Sequence, residues 1–318
     1  MPGSWPWFSM SAMKDTPVPP VGRFAPSPSG PLHFGSVVAA VGSYLSARAA
    51  GGRWLLRIED VDAPRSVPGA GEGIVRTLAR LGFEWDGPLV WQHERLPDYA
   101  EALAVLRARD RVYGCACTRK MLAGAPRAAD GSARYPGTCR AGLPAGQTAR
   151  AWRFAVAPGV VRFVDRVQGE MAEDVAADVG DFVLLRADGL YAYQLAVVVD
   201  DAAAGVTEVV RGIDLLPSTA RQIALQAALD IPTPRYAHLP VVVDAHGQKL
   251  SKQSLARAVD GLPDAQVLFD ALCCLGQAPP AELAGAPVAH IWPWALAHWS
   301  LEAVPRTAAV HARRDYDR

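Results

Sequence analysis

Apolar positions change period several times along the chain. Phe34, Val37, Val38, Val41, Tyr44 and Leu45 recur at helical spacing, and Gly51-Gly52 stops the run. Before it, "GRFAPSPSG" (22–30) reads as a short strand entering a Pro/Ser/Gly loop. After it, "RWLLRIEDVD" (53–62) reads as a second strand ending in acids. "GEGIVRTLARLGF" (71–83) and "PDYAEALAVLRARD" (97–110) are amphipathic helices. Strand–helix alternation of this kind predicts an α/β fold with a doubly wound parallel sheet. The stretch 111–150 breaks the pattern. It is rich in Gly, Pro, Cys and Arg, has no clear period, and reads as an insertion. Strands return at "GVVRFVD" (159–165) and "GVTEVVRG" (205–212), and "DFVLLRADGLYAYQLAVVVDD" (181–201) predicts a hairpin turning at Asp188-Gly189. "DLLPSTARQIALQAALD" (214–230) predicts a helix with Asp214 as N-cap. "YAHLPVVVD" (236–244) is the last strand. From 254 onward the tail reads as helical, with "IWPWALAHW" (291–299) as an aromatic packing segment and Cys273-Cys274 as core residues.

Composition narrows this picture. A chain of 318 residues that is half apolar can bury one large core or two modest ones. Lys plus Arg equals Asp plus Glu at 32 each, so any polyanion must bind through a local patch. "RARDRVYGCACTRK" (107–120), with five basic residues and one acidic, is either such a patch or a solvated helix end. No apolar run approaches the ~20 residues that span a bilayer, so no membrane role is expected. The opening "MPGSWPWFSMSAMKDTPVPP" lacks the basic start and continuous apolar centre of a signal peptide. It is expected to be a disordered leader, or an over-long start with Met10 or Met13 as the true first residue. Five cysteines in such a chain fit a reducing cytoplasm, where clustered thiols favour metal over disulfides.

Three segments carry candidate chemistry. "PSPSGPLHFGS" (26–36) joins a strand to a helix N-terminus through a glycine-bearing loop. Free N–H groups and the helix dipole there can hold an anion. His33 lies within reach of a phosphate, or simply caps the helix, and Gly35 leaves room for a flat ring on the backbone. "QKLSKQ" (248–253) places two lysines around a serine, either to solvate a loop or to hold a polyphosphate. Cys115, Cys117 and Cys139 offer three thiolates, leaving one position of a tetrahedral zinc site open; the alternative is a set of buried reduced cysteines.

Taken in order, "RFAPSPSGPLHFGS", "LLRIEDVD", "YQLAVVVDD", "VVRG" and "KLSKQ" resemble the class I aminoacyl-tRNA synthetases of the glutamate type over roughly residues 21–255. "HFGS" stands where that family has its HIGH signature and "KLSKQ" where it has KMSKS. Ser36 replaces the second histidine, and Leu250 and Gln253 depart from the lysine motif. The resemblance implies ATP held by His33, Gly35, Ser36, Lys249, Ser251 and Lys252, with His33 and Lys252 catalytic, and Mg²⁺ accompanying the ATP. It implies L-glutamate held by Arg23, Phe24, Ala25, Pro26 and Ser27, with an arginine on the substrate's side-chain carboxylate. Glu59 would take the α-ammonium, and Tyr193 and Arg211 would close the other wall. Taken singly, Glu59 could cap a strand, Tyr193 could be core and Arg211 could pair with Asp214. The resemblance also implies one structural zinc per chain, with Tyr135 completing Cys115, Cys117 and Cys139.

The expected organisation is a leader (1–20), a first catalytic half (21–110), the zinc-bearing insertion (111–150), a second half with the lysine loop (151–255), and a helical C-terminal region (256–318). Only 65 residues follow Gln253, whereas the full-length synthetases carry a large anticodon-binding region after their lysine loop. The resemblance to shortened members therefore implies that glutamate goes to the queuosine base in the anticodon of tRNA(Asp). The chain is expected to act as a cytoplasmic monomer. Two rival readings remain at this level: a synthetase-like RNA-binding or regulatory paralogue, and a nucleotidyltransferase acting on another carboxylate.

Overall fold

The computed structural model describes residues 18–143, 145–250, 257–314 and 316. Met10 and Met13 of the leader, and Ser251 and Lys252 of the lysine loop, lie outside the described residues.

The first half forms as the apolar period requires. Strand β1 (Val21–Phe24) pairs in parallel with β2 (Arg53–Ile58), Val21 opposite Arg53 and Phe24 opposite Leu56. Helix α1 (Phe34–Arg48) makes the crossover between them. Helix α2 (Ala70–Arg80) then leads from β2 to β3 (Val90–Trp91), again parallel. Helix α3 (Leu96–Ala108) follows a single 3-10 turn, and β4 (Val112–Cys115) and β5 (Ala151–Phe154) pair antiparallel as the neck of the insertion. Part of the segment read as aperiodic is thus strand. Its remaining residues loop out around the cysteines.

The hairpin β6 (Val161–Asp165) and β7 (Gly169–Glu173) forms an edge of the second half. After the short α4 (Val175–Asp178), β8 (Val183–Leu185) joins β5. The chain does turn at Asp188-Gly189, but the predicted second arm of a hairpin is instead helix α5 (Tyr193–Ala203). Seven successive residues, Leu195 to Asp201, are buried. Burial on every side erases the helical period, and tertiary packing overrides the strand propensity of Val197–Val199.

Strand β9 (Glu208–Gly212) leads through α6 (Leu216–Ala228) to the parallel β10 (Arg235–Leu239), which also pairs with β6. Asp214 does not cap α6. A 3-10 turn over Ile213–Leu215 intervenes, the cap position is Leu215, and Pro217 sits in the first turn. The segment predicted as one last strand is divided at Pro240, which has no N–H to donate. β11 (Val241–Val243) runs beside β12 (Ala309–His311) from the tail. Helices α7 (Asp264–Cys274) and α8 (Val288–His298) lie in the tail, as expected; Cys274 is buried in the core, but Cys273, one residue back around the helix, is only partly buried and its Sγ accepts from Arg313 at 2.8 Å. Trp292 of α8 donates to the Leu81 carbonyl at 3.0 Å and packs edge-on against Phe83 and Tyr44.

The two halves meet at β1 and β9. The Thr207 amide donates to the Val21 carbonyl at 3.0 Å, and the Val21 amide donates to the Thr207 hydroxyl at 2.9 Å. From β1 the chain winds through α1 to one side; from β9 it winds through α6 to the other. That reversal opens a crevice at the carboxyl ends of the two strands, where open α/β sheets bind ligands.

Candidate active site at the reversal of the sheet

A cavity of about 810 Å³ occupies this crevice. Arg23 and Phe24 end β1 in its floor, followed by Ala25, Pro26 and Ser27. His33, Gly35 and Ser36 enter from the start of α1, Glu59 from the end of β2, Tyr193 from the start of α5, Arg211 from β9, and Lys249 from beyond β11. Every site residue read from the sequence that the structure describes, apart from the cysteine cluster, lines this one cavity.

On one side stand the start of α1 and the entrance of the lysine loop. His33 is the N-cap of α1: its ring accepts from the Ser36 amide at 3.3 Å, and the Ser36 hydroxyl lies 3.0 Å from its Nε2. Gly35 is needed for close approach, since a Cβ there would sit 3.2 Å from the Leu250 carbonyl and 3.3 Å from the His33 ring. The first turn of α1 thus packs against the entrance of the lysine loop. That loop leaves a tight hairpin in which Val243 bridges Lys249. Lys249 Nζ rests on Asp214 Oδ2 at 2.6 Å.

On the other side lies a buried charge cluster. Arg23 Nε donates to both oxygens of Asp201 at 3.2 Å, which leaves its terminal Nη fork toward the cavity. Arg57 joins two carboxylates, with Nη1 2.7 Å from Asp201 and Nη2 3.0 Å from Glu59. Burial pushes the Glu59 carboxyl up; Arg57 and Arg23 oppose this without cancelling it. Burial also pushes Asp201 up, but the charges of Arg23 and Arg57 outweigh it and hold the carboxyl below its ordinary range. Asp200, one residue earlier, lies 3.7 Å from Arg57 Nε and accepts from Gln92, Arg95 and Tyr99 at 2.7–2.8 Å. Successive residues lie about 100° apart around α5, so the two adjacent acids take different hydrogen-bond partners.

Arg211 does not pair with Asp214. Its Nε donates to His238 Nε2 at 3.0 Å, Nη2 to the Thr219 hydroxyl at 2.8 Å, and Nη1 to the Tyr193 hydroxyl at 3.3 Å. Glu59 and Tyr193 both line the cavity. Sequence reasoning missed Arg57, Asp165, Asp201 and His238. For Asp200 and Asp201 a signal existed: two acids closing an apolar run are buried charges, and buried charges need partners.

The cysteine cluster lies apart from the cavity. The Sγ atoms of Cys115, Cys117 and Cys139 all fall within 4.8 Å of one another, with Cys117 and Cys139 3.7 Å apart. Tyr135 Oη sits 3.4 Å from Cys115 Sγ and 3.6 Å from Cys117 Sγ. A tetrahedral ion with bonds of ~2.3 Å to sulfur and ~2.0 Å to oxygen sets these edges near ~3.8 and ~3.5 Å. The donor set fits zinc. Arg153 supplies countercharge, with Nε 3.2 Å from Cys115 Sγ and its guanidinium 3.8 Å from the Tyr135 ring centre. Burial raises the Cys139 thiol, but hydrogen bonds from Tyr135, the Ala116 amide and the other thiols bring it down to about 7.

The family model for tRNA synthetases of class I (E and Q), catalytic domain, matches residues 21–279. The chain belongs to this family of ligases. Within it, the chain is 61% identical over 301 residues to the glutamyl-Q tRNA(Asp) synthetase of Aromatoleum aromaticum, across 94% of this chain and 95% of that one. It is 57% identical over 291 residues to the protein of the same name from Dechloromonas aromatica, across 91% and 97%. Among solved structures, a glutamate tRNA ligase from Elizabethkingia meningosepticum, in complex with its amino acid, matches with a TM-score of 0.75 at 26% identity. The match covers 93% of this chain and 67% of that one.

Proposed function

We propose that this protein activates L-glutamate with ATP and transfers it to the queuosine base in the anticodon of tRNA(Asp). The observation that carries the reading is the cavity itself, which sets an arginine fork and a carboxylate across from a helix N-terminus and a lysine. Arg23 binds the γ-carboxylate of glutamate in two parallel hydrogen bonds. Glu59 takes the α-ammonium, and Arg211 with Tyr193 closes the wall. The α-carboxylate then attacks the α-phosphorus of ATP; the bond to the β-phosphate bridging oxygen breaks, and pyrophosphate leaves as glutamyl-adenylate forms.

No side-chain nucleophile is needed, so position and charge carry the rate. His33 and Ser36 line the phosphate path at the start of α1, Gly35 admits the adenine, and Lys249, Ser251 and Lys252 hold the phosphates as charge spreads over their oxygens. Mg²⁺ supplies further countercharge when it accompanies ATP. A hydroxyl of the queuosine ring next attacks the mixed anhydride and releases AMP.

Cys115, Cys117, Tyr135 and Cys139 would hold one structural zinc per chain, which cross-links the insertion without entering the reaction. With ATP and tRNA as substrates and free thiols in the fold, the setting is the cytoplasm and the working unit a monomer.

The test is transfer of labelled glutamate to tRNA(Asp) with and without queuosine, beside tRNA(Glu). Label is expected only on queuosine-bearing tRNA(Asp). Label on tRNA(Glu), or on tRNA(Asp) regardless of queuosine, contradicts the reading.

A further inference from the structure

Behind Arg211 lie two buried groups to which the reaction assigns no part. His238 of β10 and Asp165 at the end of β6 are fully buried, with His238 Nδ1 2.5 Å from Asp165 Oδ2. The other carboxylate oxygen, Oδ1, accepts three backbone amides: His238 at 3.1 Å, Val167 at 3.0 Å and Gln168 at 2.8 Å. A carboxylate so surrounded by donors is ionised and can only accept, so His238 Nδ1 carries a proton. On the opposite edge of the ring, Nε2 faces Arg211 Nε at 3.0 Å and the Thr219 hydroxyl, itself an acceptor from Arg211 Nη2, at 3.2 Å. A guanidinium can only donate, so Nε2 carries none. The contacts alone therefore define the tautomer: neutral imidazole, hydrogen on Nδ1, lone pair on Nε2 aimed at Arg211.

We infer that Asp165 and His238 form a buried positioning dyad that fixes the Arg211 guanidinium in the glutamate pocket by holding the Nε2 lone pair toward it. The inference rests on the proposed role of Arg211 in binding glutamate. With Nε on His238, Nη2 on Thr219 and Leu215, and one Nη1 hydrogen on Tyr193, a single Nη1 hydrogen remains for the cavity. That direction is set from behind. Neither member of the dyad touches substrate. Burial lowers the imidazole pKa, Arg211 adds to this and Asp165 opposes it; the net shift is downward, which keeps the ring neutral at neutral pH.

Asp165→Asn is the sharp test. Its remaining oxygen keeps the three backbone amides, which turns the amide nitrogen toward His238 Nδ1. Nδ1 must then accept, the ring proton moves to Nε2, and an N–H opposes the Arg211 N–H. Glutamate-dependent pyrophosphate release, assayed with tRNA(Asp) present, should show KM for glutamate raised roughly ten- to a hundredfold, the range for losing a hydrogen bond to a charged group. KM for ATP should not move. His238→Leu should behave alike. His238→Gln, whose side-chain oxygen can accept from Arg211, should recover most of the loss. Nitrogen NMR of the imidazole reads the tautomer independently: the proton on Nδ1 in the wild type and on Nε2 in Asp165→Asn.

A wild-type proton on Nε2 overturns the dyad. So does a parallel rise in KM for ATP in all the variants, which marks a general loss of fold. An unchanged glutamate KM in Asp165→Asn, with a raised one in Arg211→Ala, overturns the dyad while leaving the role of Arg211 intact. An unchanged glutamate KM in Arg211→Ala overturns that role, and the dyad with it.

Discussion

Asp201 is one carboxylate shared by two arginines that serve opposite ends of the glutamate pocket. Through Arg23 it orients the group that the proposed reaction sets against the γ-carboxylate, and through Arg57 it steadies Glu59, proposed to take the ammonium. Removing one partner of a buried ion network leaves the others uncompensated, so Asp201→Ala should cost about 3–5 kcal/mol of stability in denaturant titrations. A loss under 1 kcal/mol would mean the cluster is wetter than its burial indicates. Lys252→Ala should slow adenylate formation by orders of magnitude without shifting the melting temperature, because its charge acts only as charge develops on the phosphates. Near-normal pyrophosphate exchange in that variant would remove Lys252 from the mechanism. His238 predicts a pH effect. Asp165 from β6 faces it, as do Arg211 from β9 and Arg23 from β1, and its folded pKa lies below the ordinary 6.5. The unfolded chain therefore takes up the proton first as pH drops. The stability held by the neutral ring is fully present above about 6.5 and is lost as pH falls toward the lower folded value. Denaturation of the wild type between pH 7 and 5 should show a steeper loss than His238→Gln. Glu59, shifted upward by burial, pulls the other way but is common to both proteins. Parallel slopes would argue that the ring is already charged.

Among the elements, the insertion around the cysteines depends most on something besides its own apolar core. Its small cluster is little more than Cys115, Tyr135 and Cys139 with a few partly buried neighbours. It leans on the sheet through Gly180, whose φ of +76° and lack of a Cβ let the Tyr135 carbonyl approach to 2.5 Å of where a Cβ would stand. Chelation should therefore loosen residues 116–150 before the parallel sheet, read as early proteolysis there while the fluorescence of the buried Trp54 and Trp292 persists. Metal analysis of the untreated protein should give about one zinc per chain; full activity without zinc would reject the site. Helix α8 is tied on differently. Trp292→Ala should cost about 3–5 kcal/mol, since it empties the aromatic contact with Tyr44 and Phe83. How much of this could be read from sequence follows the local side-chain pattern. α1 was legible although Ala40 to Ala47 are all buried, because its large apolar residues keep helical spacing with small residues between them, and so were β1, β2 and β9. α5 was not, because its buried centre is the β-branched run Val197–Val199, which reads locally as strand. The residues directed at ligand were legible through motifs. Their partners were not: Asp165 and His238 are 73 positions apart, and neither carries a local signal until the sheet brings β6 beside β10.

At the scale of the whole molecule, two large apolar clusters lie on either side of the pocket, and both are needed to shape it. One gathers α1, α2, α7 and α8; the other gathers α3, α5 and α6. Among the described residues, large exposed apolar side chains such as Val67, Met121 and Val164 are scattered along the chain. Sedimentation of the protein freed of tRNA should accordingly find a single species near 33.9 kDa. A stable dimer would require a surface other than these scattered positions. The pairing of Val21 with Thr207 also bears on how the chain is made. The two residues are 186 positions apart, and the strand between them in space cannot be completed until the later one leaves the ribosome. At ~5–20 residues per second, β1 waits roughly 10–40 s with one edge unpaired. During that interval the nascent N-terminal half is a three-stranded parallel sheet with an open flank on β1, the species that chaperones capture and that aggregates when they are absent. The same long-range seam that creates the binding crevice therefore makes this half of the molecule the slow and vulnerable step of its own biosynthesis.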